Sequence, residues 1–182
     1  MVSPEPAVVR WGAIGLMLSG MMWVVLGLSM VVGYLQAIPG REDVGLFIIA
    51  LLLLAAGLVG LHTLHKDSYG LLGRVGFYLA VAAVAARVLG AVVFLAGSSA
   101  LEWISFPGTL GMLVGLVIYG FAILQARVLP RWYGLALIVS MPISLPLAVY
   151  GTALFGLILV VLGYALWLRR DITTSEQPSR VR

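Results

Sequence analysis

The chain reads as an all-α bundle of six membrane-spanning helices with both ends on one side, and three observations predict it. Of its 182 residues, 62% are hydrophobic and only 10% charged, whereas a water-soluble domain carries about 25% charged residues. The charges fall in short polar clusters between uncharged stretches long enough to cross a bilayer. Basic residues gather in alternate loops, as they do on the cytoplasmic side of membrane proteins.

The elements follow in order. Trp11 to Leu35 comes after the single Arg10 and runs for about 25 residues; the apolar core of a secretory signal has about 7–15, so this is a retained helix. "QAIPGRED" breaks the chain, with Pro39-Gly40 as turn chemistry. The second span, Val44 to His62, contains "LFIIALLLLAA", Leu-rich on every face as suits lipid. "HKDSYGLLGR" leads to a third span from Val75 to Gly97, and "SSALEW" to a fourth from Ile104 to Ala126. Between Arg131 and Arg169 lie 37 uncharged residues. One span needs about 20, so two short helices in a tight hairpin are expected. Pro142 and Pro146 fall in its first arm and "VYGT" near Tyr150 is its expected turn. Residues 1–10 then form an N-terminal segment, 11–170 the membrane domain, and 171–182 a polar tail expected to be disordered.

An even number of spans puts Arg10, Lys66, Arg74, Arg127, Arg131, Arg169, Arg170, Arg180 and Arg182 on one side. Arg41 alone lies on the other, with Glu42, Asp43 and Glu102. That asymmetry predicts cytoplasmic termini. The second, fourth and sixth spans close with "GLHTLHK", "GFAILQAR" and "GYALWLRR". A threefold repeat of a helical hairpin would explain this pattern; so would a shared grammar of membrane edges.

Several functions are excluded or disfavoured. The chain has no cysteine and no asparagine, hence no disulfide, no thiol chemistry and no N-glycosylation acceptor. The net charge of +4 is scattered over loops, which argues against nucleic acid as a partner. There is no Gly-rich phosphate loop, no H-E-x-x-H and no carboxylate pair within a span. Enzymatic activity is the least expected class, and no cofactor is indicated.

The residue most out of place is Arg87, inside "AVAAVAARVLGAVVFLAG". Its helical face carries Gly76, Ala80, Ala83, Gly90 and Gly97 with Phe94, small residues that let membrane helices approach closely. The guanidinium therefore points into the bundle and needs acceptors. It lies about 13 residues, or ~20 Å, from Arg74, at a depth matching "SMPISLP" in the fifth span, where prolines free backbone carbonyls. Arg87 is expected to face Ser140 and Ser144 there, with Tyr119 as a further partner. Two readings are open: a polar cavity for a small anionic or carbonyl-bearing ligand, or a structural staple that also reaches Glu102 or Asp43. His62 and His65 form H-x-x-H, weak candidates for a metal with Asp67 as third ligand, or else two rings at the headgroup boundary. Trp11, Trp132, Tyr133 and Trp167 are expected at one interface and Tyr34, Trp103 and Tyr150 at the other, with Trp23 in the core. Gly111 and Gly115 form a G-x-x-x-G contact face.

The stretch "LPRWYGLALIVS" followed by "LFGLILVVLGYALWLRR" resembles small uncharacterised six-span bacterial membrane proteins. The resemblance implies a bacterial cytoplasmic membrane and transfers no functional residue. Two functional classes follow. One is a structural or accessory protein working through helix contacts, as a homo-oligomer or with a membrane-protein partner; the other is a small transporter or channel built on Arg87.

Overall fold

The computed structural model describes residues 6–36, 41–65, 68–98 and 102–175. These form six helices and no strand: α1 (Pro6–Gln36), α2 (Arg41–His65), α3 (Leu71–Leu95), α4 (Ser105–Ala126), α5 (Arg131–Ser144) and α6 (Ala148–Ser175), with a 3₁₀ turn at Glu102–Ile104. All but α5 are long and apolar enough to cross a membrane. The chain is a helical membrane bundle. The Pro39-Gly40 turn, Lys66, Asp67 and residues 176–182, including Arg180 and Arg182, lie outside the described residues.

Of the two short helices expected between Arg131 and Arg169, only the first, the fifth expected span, is short. α5 has 14 residues, about 21 Å of helix, against a hydrocarbon core of about 30 Å. Its last backbone bond runs from the Leu145 N–H to the Met141 carbonyl at 3.1 Å. Pro146 then has no N–H to continue the ladder, so the chain turns at 145–147 rather than at Tyr150. "VYGT" lies inside α6 instead, and Gly151 serves packing: with no side chain there, the Ser144 carbonyl at the end of α5 comes against it. α6 runs past Arg170 to Ser175, beyond the expected end of the membrane domain, and α1 starts at Pro6, where a proline costs no hydrogen bond.

Each helix packs on its neighbours in sequence, and α6 closes the ring onto α1. Glycine makes these contacts close. A Cβ on Gly12 would lie 2.5 Å from Gly60 of α2, and one on Gly20 would lie 2.5 Å from the Gly156 carbonyl of α6. Lipid supplies no hydrophobic drive between helices, so such backbone contacts and their dispersion energy hold the bundle. The small-residue face of α3 and the G-x-x-x-G of α4 meet as one seam: a Cβ on Gly115 would lie 2.6 Å from the Ala80 nitrogen, and one on Gly111 3.0 Å from Ala83 Cβ. The repeated glycines have unequal partners. Gly60 meets α1 within its own hairpin, Gly120 meets Gly134 of the following α5, and Gly163 meets Ala13 of α1.

The start of α1 and the later part of α6 share one end of the bundle, where the Arg10 guanidinium sits 5.8 Å from the Trp167 ring centre. At the other end α3 stops on Gly97, at φ 85°. The Ser98 N–H donates back to Val93 and that of Gly97 to Phe94, a Schellman stop that a residue without Cβ adopts freely. Leu16, Leu54, Leu58, Leu116 and Leu159 are wholly buried, and the Ser19 hydroxyl of α1 donates to the Ala50 carbonyl of α2 at 2.8 Å. Trp23 is in the core as expected, and Tyr133 is buried beside an exposed Trp132.

Candidate functional site

A cavity of ≈ 320 Å³ opens between α1, α2, α3 and the start of α4, at the end of the bundle away from the termini. Its walls are mainly apolar (Leu26, Met30, Val44, Phe47, Ala91, Phe94), with Arg87, Asp43, Ser98 and Ser105 as its polar groups. Arg87 is placed there by the α3–α4 seam. Its stem crosses Gly108, where an added Cβ would lie 2.7 Å from Arg87 Cγ. The guanidinium carbon stands 4.7 Å from the centre of the Phe47 ring. Phe47 is held in turn: its ring meets Trp23 edge-on at 5.4 Å, and Trp23 meets Phe155 edge-on at 5.4 Å. This aromatic chain runs α2–α1–α6 and fixes the ring that faces the cation.

Arg87 is half-buried and makes no hydrogen bond or ion pair among the described residues. The magnitudes show what that means. A guanidinium at membrane depth costs about 2.5–3.5 kcal/mol on insertion scales, and a ring partner returns about 0.5–2 kcal/mol. Five N–H donors are left to whatever enters the cavity. Asp43 lines the same cavity without forming an ion pair with Arg87; the Ser29 hydroxyl lies 3.0 Å from its Oδ1 and 2.9 Å from the Leu26 carbonyl, donating to one at a time. The Glu102 side chain lies outside the described residues.

The four residues expected to converge do not. Ser140 donates to the Leu137 carbonyl at 2.8 Å, and Ser144 to the Ser140 carbonyl, so both hydroxyls serve their own helix. α5 packs on α4 and α6, while Arg87 leaves α3 toward α2 and Gly108. Tyr119 sits against Gly76, eleven residues or about 16 Å down α3 from Arg87. Its hydroxyl is buried with no partner among the described residues.

Tyr119 belongs to a second cluster near the end that holds the termini. His62 stacks on Phe77 at 4.0 Å and is hydrogen-bonded through Nδ1 to the Tyr69 hydroxyl. His65 is wholly buried and its Nδ1–H donates to the Leu61 carbonyl at 2.8 Å. Tyr69 meets Tyr119 edge-on at 5.8 Å. Burial pushes the Tyr69 hydroxyl from 10.0 up to about 12. Among the described residues no three potential metal ligands come together, and Asp67 is not one of them. The histidines are bound into an aromatic cluster at that end of the bundle.

Sequence reasoning named Asp43 as a group within reach of Arg87, but missed Phe47 and the place of Gly108 under the arginine stem. Asp43 and Phe47 are four apart on α2 and share a face, a signal that gains meaning only once α3 is known to lie beside it. Compared with family models, curated proteins and solved structures, the chain matches none.

Proposed function

We propose that this membrane protein binds a small anionic or carbonyl-bearing molecule at Arg87, as the recognition step of a small transporter or channel. One observation carries the reading: a guanidinium without a hydrogen-bond partner among the described residues lines a cavity of ≈ 320 Å³, within the size range of ligand sites, about 300–1,000 Å³. Apolar walls with one convergent cation suit an organic carboxylate better than a bare inorganic ion. The basic asymmetry supports cytoplasmic termini, which would open the site to the opposite side, and the resemblance in sequence pattern supports a bacterial membrane.

The competing reading, a structural or accessory protein with Arg87 as a staple, draws on the fit of its stem over Gly108. One variant separates the two. With purified protein in one detergent, sodium benzoate at constant ionic strength is expected to raise the melting temperature of wild type and not of Arg87→Gln. Arg87→Leu is expected to fold with an unchanged or higher melting temperature. A benzoate-independent melting point together with a loss of about 3–5 kcal/mol in Arg87→Leu would mark a staple whose removal strands its partners.

A further inference from the structure

A second groove, of ≈ 560 Å³, lies at the α4–α5 corner and is lined by Phe121, Leu124, Gln125, Arg127, Arg131 and Leu135. It is graded along the two helices. Phe121 lies six residues before Arg127, about 9 Å along α4, and Leu135 four residues after Arg131, about 6 Å along α5. Two guanidiniums and an amide therefore crown a wall of two leucines and a phenylalanine. α5 begins at Arg131, so the positive end of its helix dipole lies at the same level.

The backbone here carries a second signal. Arg127 is the helix C-cap at φ 53°, the one non-glycine residue in the left-handed region among the described residues. Glycine takes this conformation freely, while a side chain costs roughly 1 kcal/mol or more. The corner therefore carries a guanidinium at a backbone position where glycine would be the unstrained choice.

We infer that this groove holds the headgroup of an anionic glycerophospholipid. Its phosphate lies between Arg127 and Arg131, where planar guanidiniums match paired oxygens, and its acyl chain lies along Phe121, Leu124 and Leu135. A zwitterionic lipid brings an ammonium to the same two cations and is disfavoured. This site is independent of Arg87 and lies at the end of the bundle that carries the termini.

The test uses the full chain in a mild detergent, with native mass spectrometry during titration of phosphatidylglycerol or phosphatidylcholine of identical acyl chains. Wild type is expected to retain one phosphatidylglycerol in preference to phosphatidylcholine. Arg127→Gly and Arg131→Gln each weaken that retention about fivefold, and the double variant about 25-fold. Arg127→Gly fits the left-handed backbone without strain, so its melting temperature stays level or rises, which separates lost binding from lost folding. Arg10→Gln, at the same end but over Trp167, leaves retention unchanged. Equal binding of the two lipids, full retention in the double variant, or an equal loss in Arg10→Gln would overturn the inference. Displacement of phosphatidylglycerol by millimolar inorganic phosphate would overturn it too, in favour of a free-phosphate site.

Discussion

Arg87 and Arg127 are the same residue type placed on opposite terms. Arg87 sits half-buried over Gly108 with an aromatic ring as its described partner, at the end away from the termini. Arg127 is exposed beside Arg131 at the other end, on a backbone conformation meant for glycine. In one case the side chain is costly and the backbone ordinary; in the other the side chain is cheap and the backbone costly. The difference teaches where to look for selection on a charge: in whichever part of the residue the fold would prefer to do without.

Both arginines depend on α4, which offers one glycine seam to α3 and another to α5, so the seams can be broken separately. The largest effect is expected from Gly115→Leu, because the new side chain meets the Ala80 backbone at 2.6 Å from its first carbon. Overpacking of this kind costs about 3 kcal/mol or more, read as a fall in thermal or denaturant midpoint. Benzoate stabilisation should be lost with the α3–α4 seam while phosphatidylglycerol retention at the α4–α5 corner persists. Parallel loss of both would mean that the two ends are not separable.

A second effect sharpens the contrast with an uncharged polar group. The Tyr69 hydroxyl, raised to about 12 in the folded chain against 10.0, keeps its proton where the unfolded chain loses one. The Tyr69 contribution to stability should be flat below pH 10 and fall between pH 10 and 12, and tyrosinate absorbance should include a late-titrating step from Tyr69. Tyr69→Phe should lower the amplitude of the late titration by one tyrosine; an unchanged amplitude would mean that Tyr69 is not among the late-titrating groups.

Phe47→Leu comes next. It removes the ring facing Arg87 and with it about 0.5–2 kcal/mol of cation–π stabilisation, and it frees an edge of Trp23. The same change in an Arg87→Leu background should cost less, and a double-mutant cycle measures the coupling. Additivity would mean that ring and cation do not interact. The smallest effect is at the other arginine: Arg127→Gly should stabilise by about 1 kcal/mol through relief of the left-handed backbone. Destabilisation would mean that the side chain, rather than a lipid, holds the corner together.

Much of the architecture was legible in the residues. The long apolar stretches, the small-residue face of α3, the G-x-x-x-G of α4 and the core position of Trp23 all take the roles their composition implies, because lipid demands internally bonded backbone and rewards close contacts. The candidate site was legible only in part. Arg87 stood out as a cation in an apolar run, but its neighbours were assigned to α5 on depth alone. Depth along a helix can be counted from the sequence; which helix lies alongside cannot. The Tyr150 turn failed for a related reason, since Gly151 proved to be a contact for Ser144 rather than a bend.

What the sequence determined by itself was that the chain is a helical membrane bundle and that a cation lies within one of its spans, since these follow from hydropathy and spacing along one dimension. The ring order, the α3–α4 seam, the meeting of Arg87 with Phe47 and the pairing of Arg127 with Arg131 were decided by the tertiary structure. Those depend on which glycine faces which backbone across a gap, a three-dimensional complementarity that no single stretch of chain contains.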